Sequence, residues 1–577
     1  MGYKACMTAA HTQDLAPMRA RSFLRLALPC LVMAVLALSG CSTPLPKDVE
    51  RPVSAALQKP QETALGALVA KARPAAVKAD ASAFALISGP EFALSSRMAL
   101  VESAQKTLDL QYYAIHADQS TAKLLRALVQ AAGRGVRVRV LLDDFHSTGP
   151  DAQVMRLAFV PNIEMRMFNP LAGSRSSSLG RAWSILTDFQ RAQQRMHNKL
   201  FIADNAVAVM GGRNLGDSYF DASNEGNFVD IDVLTGGPVV KDLSRSFDSY
   251  WNNVRAYPVQ SLIKQEELLQ LKTQFDQEDS RAEASTAKPQ SSSIASASTM
   301  NLRKVPWVWA QALVLADSPS KIPLESDDAH PLSPAQAGSA GVLKAGKQGT
   351  IPASAAGALQ ADSVVDGLLA LVRSARQDLL VVSPYFVPGA EIMQAFRTAR
   401  ERGVRIRILT NSLASNDAPL AHAGYARHRQ ELLGMGIELR EMRSEPANVR
   451  SALRAGNTGS SGGSTGASRS MLHSKLLVID GRIVVVGSMN LDMRSQLQNT
   501  EIAVLIASKS FSKLATSSID ESLPENSWRV EIDKDGKLIW RAPEDSGLPD
   551  AHTEPDASLG LRLMLQLIGP LAPDSLL

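Results

Sequence analysis

Cysteine is scarce in this 577-residue sequence: Cys6, Cys30 and Cys41 are its three, all near the N-terminus. The folded body therefore has no disulfide framework and no thiolate metal site, and its stability must come from packing. Net charge is equally scarce. Lys and Arg number 61 against 57 Asp and Glu, and from Cys41 onward the balance is +1. Blanket polyelectrolyte binding to nucleic acid is not supported by such a balance, nor is there a basic stretch interleaved with aromatics for stacking on bases. The apolar run Leu26 to Leu38 falls short of the roughly 20 residues of a membrane-spanning helix. What is present is close to the globular norm, 45% hydrophobic and 20% charged, which excludes a disordered, collagenous or polytopic chain. The length is about four times a 150-residue domain, so two or more packed units are expected.

Arg19, Arg21 and Arg25 precede the apolar run, the order of an export signal. The run ends in Leu38-Ser39-Gly40-Cys41, which resembles the lipobox of bacterial lipoproteins. That resemblance implies removal of 1–40 and acylation of Cys41 as the new N-terminus. Ser42 and Thr43, rather than an Asp, then favour the outer membrane, with the chain in the cell envelope on its periplasmic face.

The chain repeats itself. Arg134-Gly-Val-Arg-Val-Arg-Val-Leu141 returns as Arg402-Gly-Val-Arg-Ile-Arg-Ile-Leu409, and Ile163-Glu-Met-Arg166 as Ile437-Glu-Leu-Arg440. Helix-like stretches, Ala122 to Ala132 and Ile392 to Arg400, each lead through a Gly into an alternating β-branched run. A long unit occurring twice predicts two fused α/β domains, each a sheet with flanking helices, around a pseudo-two-fold axis. The expected boundaries are a tether over 41–85, a first domain over 86–276, a linker over 277–300 and a second domain over 301–577. The second domain is expected to carry a surface insert near 326–361 and a C-terminal extension from about 511. Val305 to Leu315 reads as an early strand of the second domain. The Gly- and Ser-rich stretch Ala455 to Ser470 reads as a loop at the site mouth, whether lid or spacer.

Two segments carry chemistry. His197-Asn-Lys199-Leu-Phe-Ile-Ala-Asp204 is followed by Gly211-Gly-Arg-Asn214, and His473-Ser-Lys475-Leu-Leu-Val-Ile-Asp480 by Gly487-Ser-Met-Asn490, every counterpart offset by 276 positions. In an extended strand each His and its Lys share one face. Each Gly-x-x-Asn is expected to let backbone and amide approach an anion. Brought together, the halves give a pocket of paired His, Lys and Asn: a nucleophile, a proton donor and neutralising groups for a phosphodiester.

Here the sequence resembles the phospholipase D superfamily with its paired HKD motifs, and within it the bacterial cardiolipin synthases. Asn490-Leu-Asp492-Met-Arg494-Ser495 and Asn499-Thr-Glu501 are similar to the synthase pattern. Ser383-Pro-Tyr385-Phe386-Val-Pro388 and Asn416 to Tyr425 are similar to the cardiolipin synthase C branch. The resemblance implies a phosphatidyltransferase working through a phosphohistidine, with His197 as nucleophile and His473 as acid and base; the sequence leaves the reverse open. Lys199, Lys475, Asn214 and Asn490 would hold the phosphoryl oxygens. Asp230 and Glu501 match the carboxylates that orient the His rings, with Asp232 the rival for the first, and Asp204 and Asp480 read as structural. Tyr385 and Tyr425 are candidate substrate-binding residues, packing being the other reading for Tyr425 and for His422. Other histidines, His116 and His146 among them, read as surface or packing residues. No cofactor and no metal is called for, two ammonium groups taking a metal's place.

The implied partners are phospholipids of a membrane surface, phosphatidylglycerol first and phosphatidylethanolamine second, with an accessory protein as a further candidate and no nucleic acid. Rival readings are a hydrolytic phospholipase D, an exported nuclease and a non-enzymatic envelope lipoprotein.

Overall fold

The computed structural model describes residues 45–172 apart from Thr148, then 188–223, 226–263, 299–322, 361–444 and 469–569 apart from Asp545, with isolated positions at 182, 184–186 and 358. The export signal, Cys41 and nearly all of the expected linker, insert and Gly/Ser-rich loop lie outside the described residues.

The duplication folds as two copies of one α/β unit. In each, a helix ends at a left-handed glycine, Gly135 at φ 89° or Gly403 at φ 82°. The following amides, Val136 and Val404, reach back to Ala131 and Ala399 at 3.1 Å each, a C-cap that only glycine enters without strain. The chain then runs into Arg137–Asp143 or Arg405–Asn411, the middle of three parallel strands. Its neighbours are Thr107–Tyr112 and Ile163–Phe168 in the first copy and Asp378–Val382 and Glu438–Met442 in the second. An antiparallel hairpin flanks each trio: Leu200–Ala203 with Val207–Gly211, and Leu476–Ile479 with Ile483–Gly487. Beyond it lie Asp232–Gly236 and Ile502–Ala507, then Ser82–Ile87 and Val308–Ala316. These last two strands pair with each other antiparallel, Ser82 opposite Ala310, and fuse the halves into a 17-stranded sheet whose order mirrors about that seam.

Packing follows the mirror. Each half has an apolar core under its own outer helices. A third core is shared: Leu141, Phe168 and Ile202 of the first half join Leu380, Leu409 and Val478 of the second, beneath the helices Pro238–Trp251 and Lys509–Asp520. No helix among the described residues is long and apolar enough to cross a membrane.

Three expected boundaries shift. Much of the expected tether is docked. Arg166, Arg139 and Arg137 donate to the carbonyls of Pro52, Ser54 and Ala55 at 2.6, 3.2 and 2.8 Å, and the helix Ala64–Ala72 buries Leu65 and Val69. The buried Arg139 and Arg166 need more acceptors than their neighbouring strands supply, and the N-terminal segment brings them. The lead-in to the second half packs on the first, since Met300, Leu302, Trp307 and Trp309 join the first core. The extension starts later than 511. Helix Lys509–Asp520 repeats Pro238–Trp251, and strand Ser527–Ile532 pairs with Glu438–Met442 as Ala256–Pro258 pairs with Ile163–Phe168. Past Ile532, the strand Leu538–Arg541 and the helix Leu559–Ile568 have no counterpart among the described residues of the first half.

Candidate active site

Both His-x-Lys segments stand just before the first strand of their hairpin, in irregular backbone rather than within a strand as the sequence suggests. The lysine still returns to its histidine: Lys199 Nζ donates to the His197 carbonyl at 2.7 Å, and Lys475 Nζ likewise to that of His473. Each histidine is docked on the opposite half. His197 N–H donates to Thr500 O at 2.9 Å and His473 N–H to Val229 O at 2.8 Å. The strand Arg469–Leu472 runs parallel to Gly226–Val229 across the divide.

This crossing decides the carboxylates. His197 Nδ1 lies 3.0 Å from both oxygens of Glu501, and His473 Nδ1 lies 2.7 Å from Asp230 Oδ2. Each imidazole is oriented by a carboxylate of the other half, with Nε2 left for chemistry. Asp232 is not a rival, because its carboxylate pairs with Arg97 and Arg213 at 2.9 and 3.3 Å. Glu501 is the better anchored of the two, accepting from Ser488 Oγ and from Ser495 Oγ at 2.9 Å.

All of these groups are buried. Burial pushes His197 down to about 4, with Lys199 and Lys475 adding to the effect and Glu501 opposing it. Burial, then Lys475 and Lys199, hold His473 well below the usual imidazole range. Burial likewise lowers Lys199 well below the usual lysine range and brings Lys475 to about 8. Burial alone would raise Glu501, but His197, Lys199 and the Ser488 hydroxyl hold it below the ordinary carboxylate range, whereas Asp230 stays raised. A pocket that stresses its own cations in this way suits a permanent anion, whose charge relieves the stress.

The remaining sequence candidates divide. A Cβ at Gly211 would fall 2.2 Å from Asp232 Oδ1, one at Gly487 2.3 Å from Ile502 O, and one at Gly212 2.6 Å from the Asp230 carboxylate. These glycines give room to the neighbouring strand and to the Asp230 carboxylate that orients His473. Asn214 Nδ2 donates to the Tyr219 hydroxyl at 2.8 Å, while Asn490 Oδ1 is buried without a hydrogen bond. Asp204 and Asp480 sit at positive φ in the hairpin turns, 51° and 53°. Their carboxylates accept the backbone N–H groups of Gln105, Lys106 and Thr107, and of Arg376, Gln377 and Asp378. Each pins the start of the strand beside the hairpin.

Tyr385 lies at the site, its ring 6.5 Å from His473 and 6.0 Å from Lys475 Nζ, its hydroxyl on Asp417 at 2.8 Å. Tyr425 does not. It is 1% exposed in the second core and donates to Glu441 Oε1 at 2.7 Å. His422 joins the same buried network through Arg429 at 2.8 Å. The helix carrying them, Pro419–Ala426, turns them into the core, so for both residues the structural alternative is the one found.

Three rings were not singled out from sequence. Tyr113 stands 5.1 Å from His197, and Tyr219 and Phe228 stand 5.4 and 4.9 Å from His473. Tyr113 could have been found from the duplication, since it follows the strand Thr107–Tyr112 much as Tyr385 follows Asp378–Val382. His116, read as a surface or packing residue, pairs with Asp151 at 2.8 Å and stacks on Tyr219. A groove of about 1040 Å³ between the halves, lined by residues such as Phe92, Lys304 and Leu514, includes none of the catalytic candidates.

The family described as "Cardiolipin synthase, PLD-like domain" matches residues 98–251 and 368–523. Cardiolipin synthase C of Escherichia coli (strain K12) is 34% identical over 491 residues, covering 84% of this chain and 94% of that protein. An uncharacterized protein of Helicobacter pylori (strain J99 / ATCC 700824) is 31% identical over 548 residues, covering 92% and 97%. Phosphatidylserine synthase of Haemophilus influenzae Rd KW20 shares the fold, with a TM-score of 0.52 at 12% identity over 85% of this chain and 94% of that one. Fold and family together define an enzyme of the phospholipase D-type phosphatidyltransferase class. Within that class, the chain belongs to the phospholipase D-like cardiolipin synthase family.

Proposed function

We propose that this enzyme joins two phospholipids into cardiolipin, tethered to the periplasmic face of the outer membrane through an acylated Cys41. The observation that carries the chemistry is the crossed pairing: two buried imidazoles, each fixed at Nδ1 by the other half's carboxylate, beside two buried ammonium groups.

His197 is the nucleophile. Glu501, firmly anionic, keeps the proton on Nδ1 and the lone pair on Nε2, and a pKa near 4 leaves that lone pair free at neutral pH. Nε2 attacks the donor phosphorus, the bond to the headgroup oxygen breaks, and His473 gives that oxygen its proton. Most of what depresses His473, after burial, is the charge of Lys475 and Lys199. A bound phosphodiester offsets that charge and lets the ring hold a proton when one is needed. In the second half-reaction neutral His473 takes the proton of the acceptor hydroxyl, whose oxygen attacks phosphorus as the P–N bond breaks. Lys199 and Lys475 neutralise the phosphoryl oxygens throughout. The rings of Tyr113, Tyr219, Phe228 and Tyr385 line the imidazoles and limit access of water, which favours transfer to a lipid hydroxyl over hydrolysis.

The test is turnover in bilayers of phosphatidylglycerol alone and mixed with phosphatidylethanolamine, with products resolved by mass. Cardiolipin is expected. Phosphatidic acid as the sole phosphatidyl product in every mixture, including those supplied with envelope proteins of the host, replaces this reading with a hydrolase.

A further inference from the structure

The last described helix, Leu559–Ile568, has leucine at every second position from 559 to 567. In a helix of 3.6 residues per turn such spacing populates two faces. The inner face is covered: Leu561 and Leu565 pack on Leu413, Ala414 and Ala557, and a Cβ at Gly569 would touch Ala423 at 3.4 Å. The outer face is not. Leu559, Leu563 and Leu567, spaced i, i+4, i+8, are 72%, 48% and 72% exposed. Leu420, on the adjoining helix Pro419–Ala426, is 46% exposed. Single exposed leucines are ordinary on a protein surface, but a continuous stripe of them marks a docking face.

Its place in the molecule matters as much as its composition. Helix Pro419–Ala426 begins two residues after Asp417, the exposed carboxylate that holds the Tyr385 hydroxyl, and the Tyr385 ring faces His473. The stripe is therefore carried by elements that adjoin the rim of the catalytic pocket.

We infer that the helix Leu559–Ile568 is an interfacial anchor that lays Leu559, Leu563 and Leu567 into the boundary between headgroups and acyl chains, seating the pocket rim against the phospholipid bilayer. The dimensions favour a bilayer over a protein partner. The stripe is one side chain wide and roughly 12 Å long at 1.5 Å per residue, far less than a stable protein interface buries. An interfacial helix needs no such area when a second attachment holds the chain at the membrane. The inference rests on the proposed lipid substrates, and one arm of its test is independent of them.

The test uses the full chain with the triple substitution L559Q/L563Q/L567Q, glutamine preserving helix propensity on a face that makes no core contacts. Turnover of phosphatidylglycerol in vesicles is expected to fall at least about tenfold, while turnover of a short-chain analogue below its micellar concentration stays within about twofold. In parallel, Leu563→Trp in vesicles of phosphatidylglycerol brominated near the carbonyl end is expected to show quenching above that of the parent protein. The quenching arm reads docking even if no lipid is turned over, a result that would count against the proposed function alone. Unchanged vesicle turnover in the triple variant, equal loss on both substrates, absence of added quenching, or a parent dimer that the triple variant dissociates each overturns the inference.

Discussion

Lys475 shows how finely the site is poised. With its pKa brought down to about 8, its ammonium is present below that pH and is lost as pH rises through it, and with it goes part of the attraction for the phosphodiester. The expected kcat/KM for phospholipid therefore falls by about tenfold per unit above about pH 8, and Lys475→Arg, whose charge does not titrate there, moves this limb upward. A rate that stays level up to about pH 10 in the parent enzyme contradicts the assignment. The histidines act as a unit. His197→Ala and His473→Ala are each expected to lower turnover by at least about 10²- to 10⁴-fold, with the double variant little worse than either. Half the parental rate in either single variant is incompatible with one composite site.

Among the elements, the hairpin turns explain why the motif carries an aspartate at all. Asp204 and Asp480 take a left-handed backbone that tightens the turn and spend their carboxylates on three amides each. Asp480→Ala is expected to lower stability by about 2–4 kcal/mol in denaturant unfolding, while the folded fraction keeps its turnover number; loss of turnover at unchanged stability gives Asp480 a chemical role instead. The helix Pro419–Ala426 teaches the complementary lesson. The resemblance of Asn416 to Tyr425 to the cardiolipin synthase C branch suggests Tyr425 for acceptor binding, with packing as the other reading, yet which way a short helix turns its side chains is settled by what it packs on, and here that is the second core. Tyr425→Phe is expected to cost about 1–3 kcal/mol by removing one of the three donors to the buried Glu441 carboxylate, Arg429 and Trp540 being the others, and to leave the ratio of cardiolipin to phosphatidic acid unchanged. Tyr385→Ala, which opens the pocket wall, is expected to shift product toward phosphatidic acid. The converse outcome returns Tyr425 to the site.

Across the whole molecule, the legible parts were those written locally. The doubled arginine-valine run, the glycine caps and both His-x-Lys segments each announce themselves within a dozen residues or so, and the mirrored sheet follows from their repetition. The crossing was not legible. His197 takes a carboxylate 304 residues away and His473 one 243 residues away, a choice made by how the halves dock and by no spacing in the chain. The same docking hides the domain boundary, because Trp307 and Trp309 serve the first core although they stand at the entry to the second half's first strand. Neither half holds a complete His–carboxylate pair of its own, and the halves share a core, so each pair needs both halves of the folded chain. Mixing His197→Ala with His473→Ala chains is accordingly expected to restore no activity, and recovery in the mixture would show that halves exchange between chains.

The most direct test of the account is to find the covalent intermediate. Enzyme turning over phosphatidylglycerol labelled in its phosphorus, quenched in alkali where phosphohistidine survives, is digested and its peptides mapped by mass. Label on the peptide containing His197, absent in the His197→Ala variant, is the expected result. Label on the His473 peptide reverses the roles of the two rings, and sustained turnover with no labelled peptide at all contradicts the phosphohistidine route.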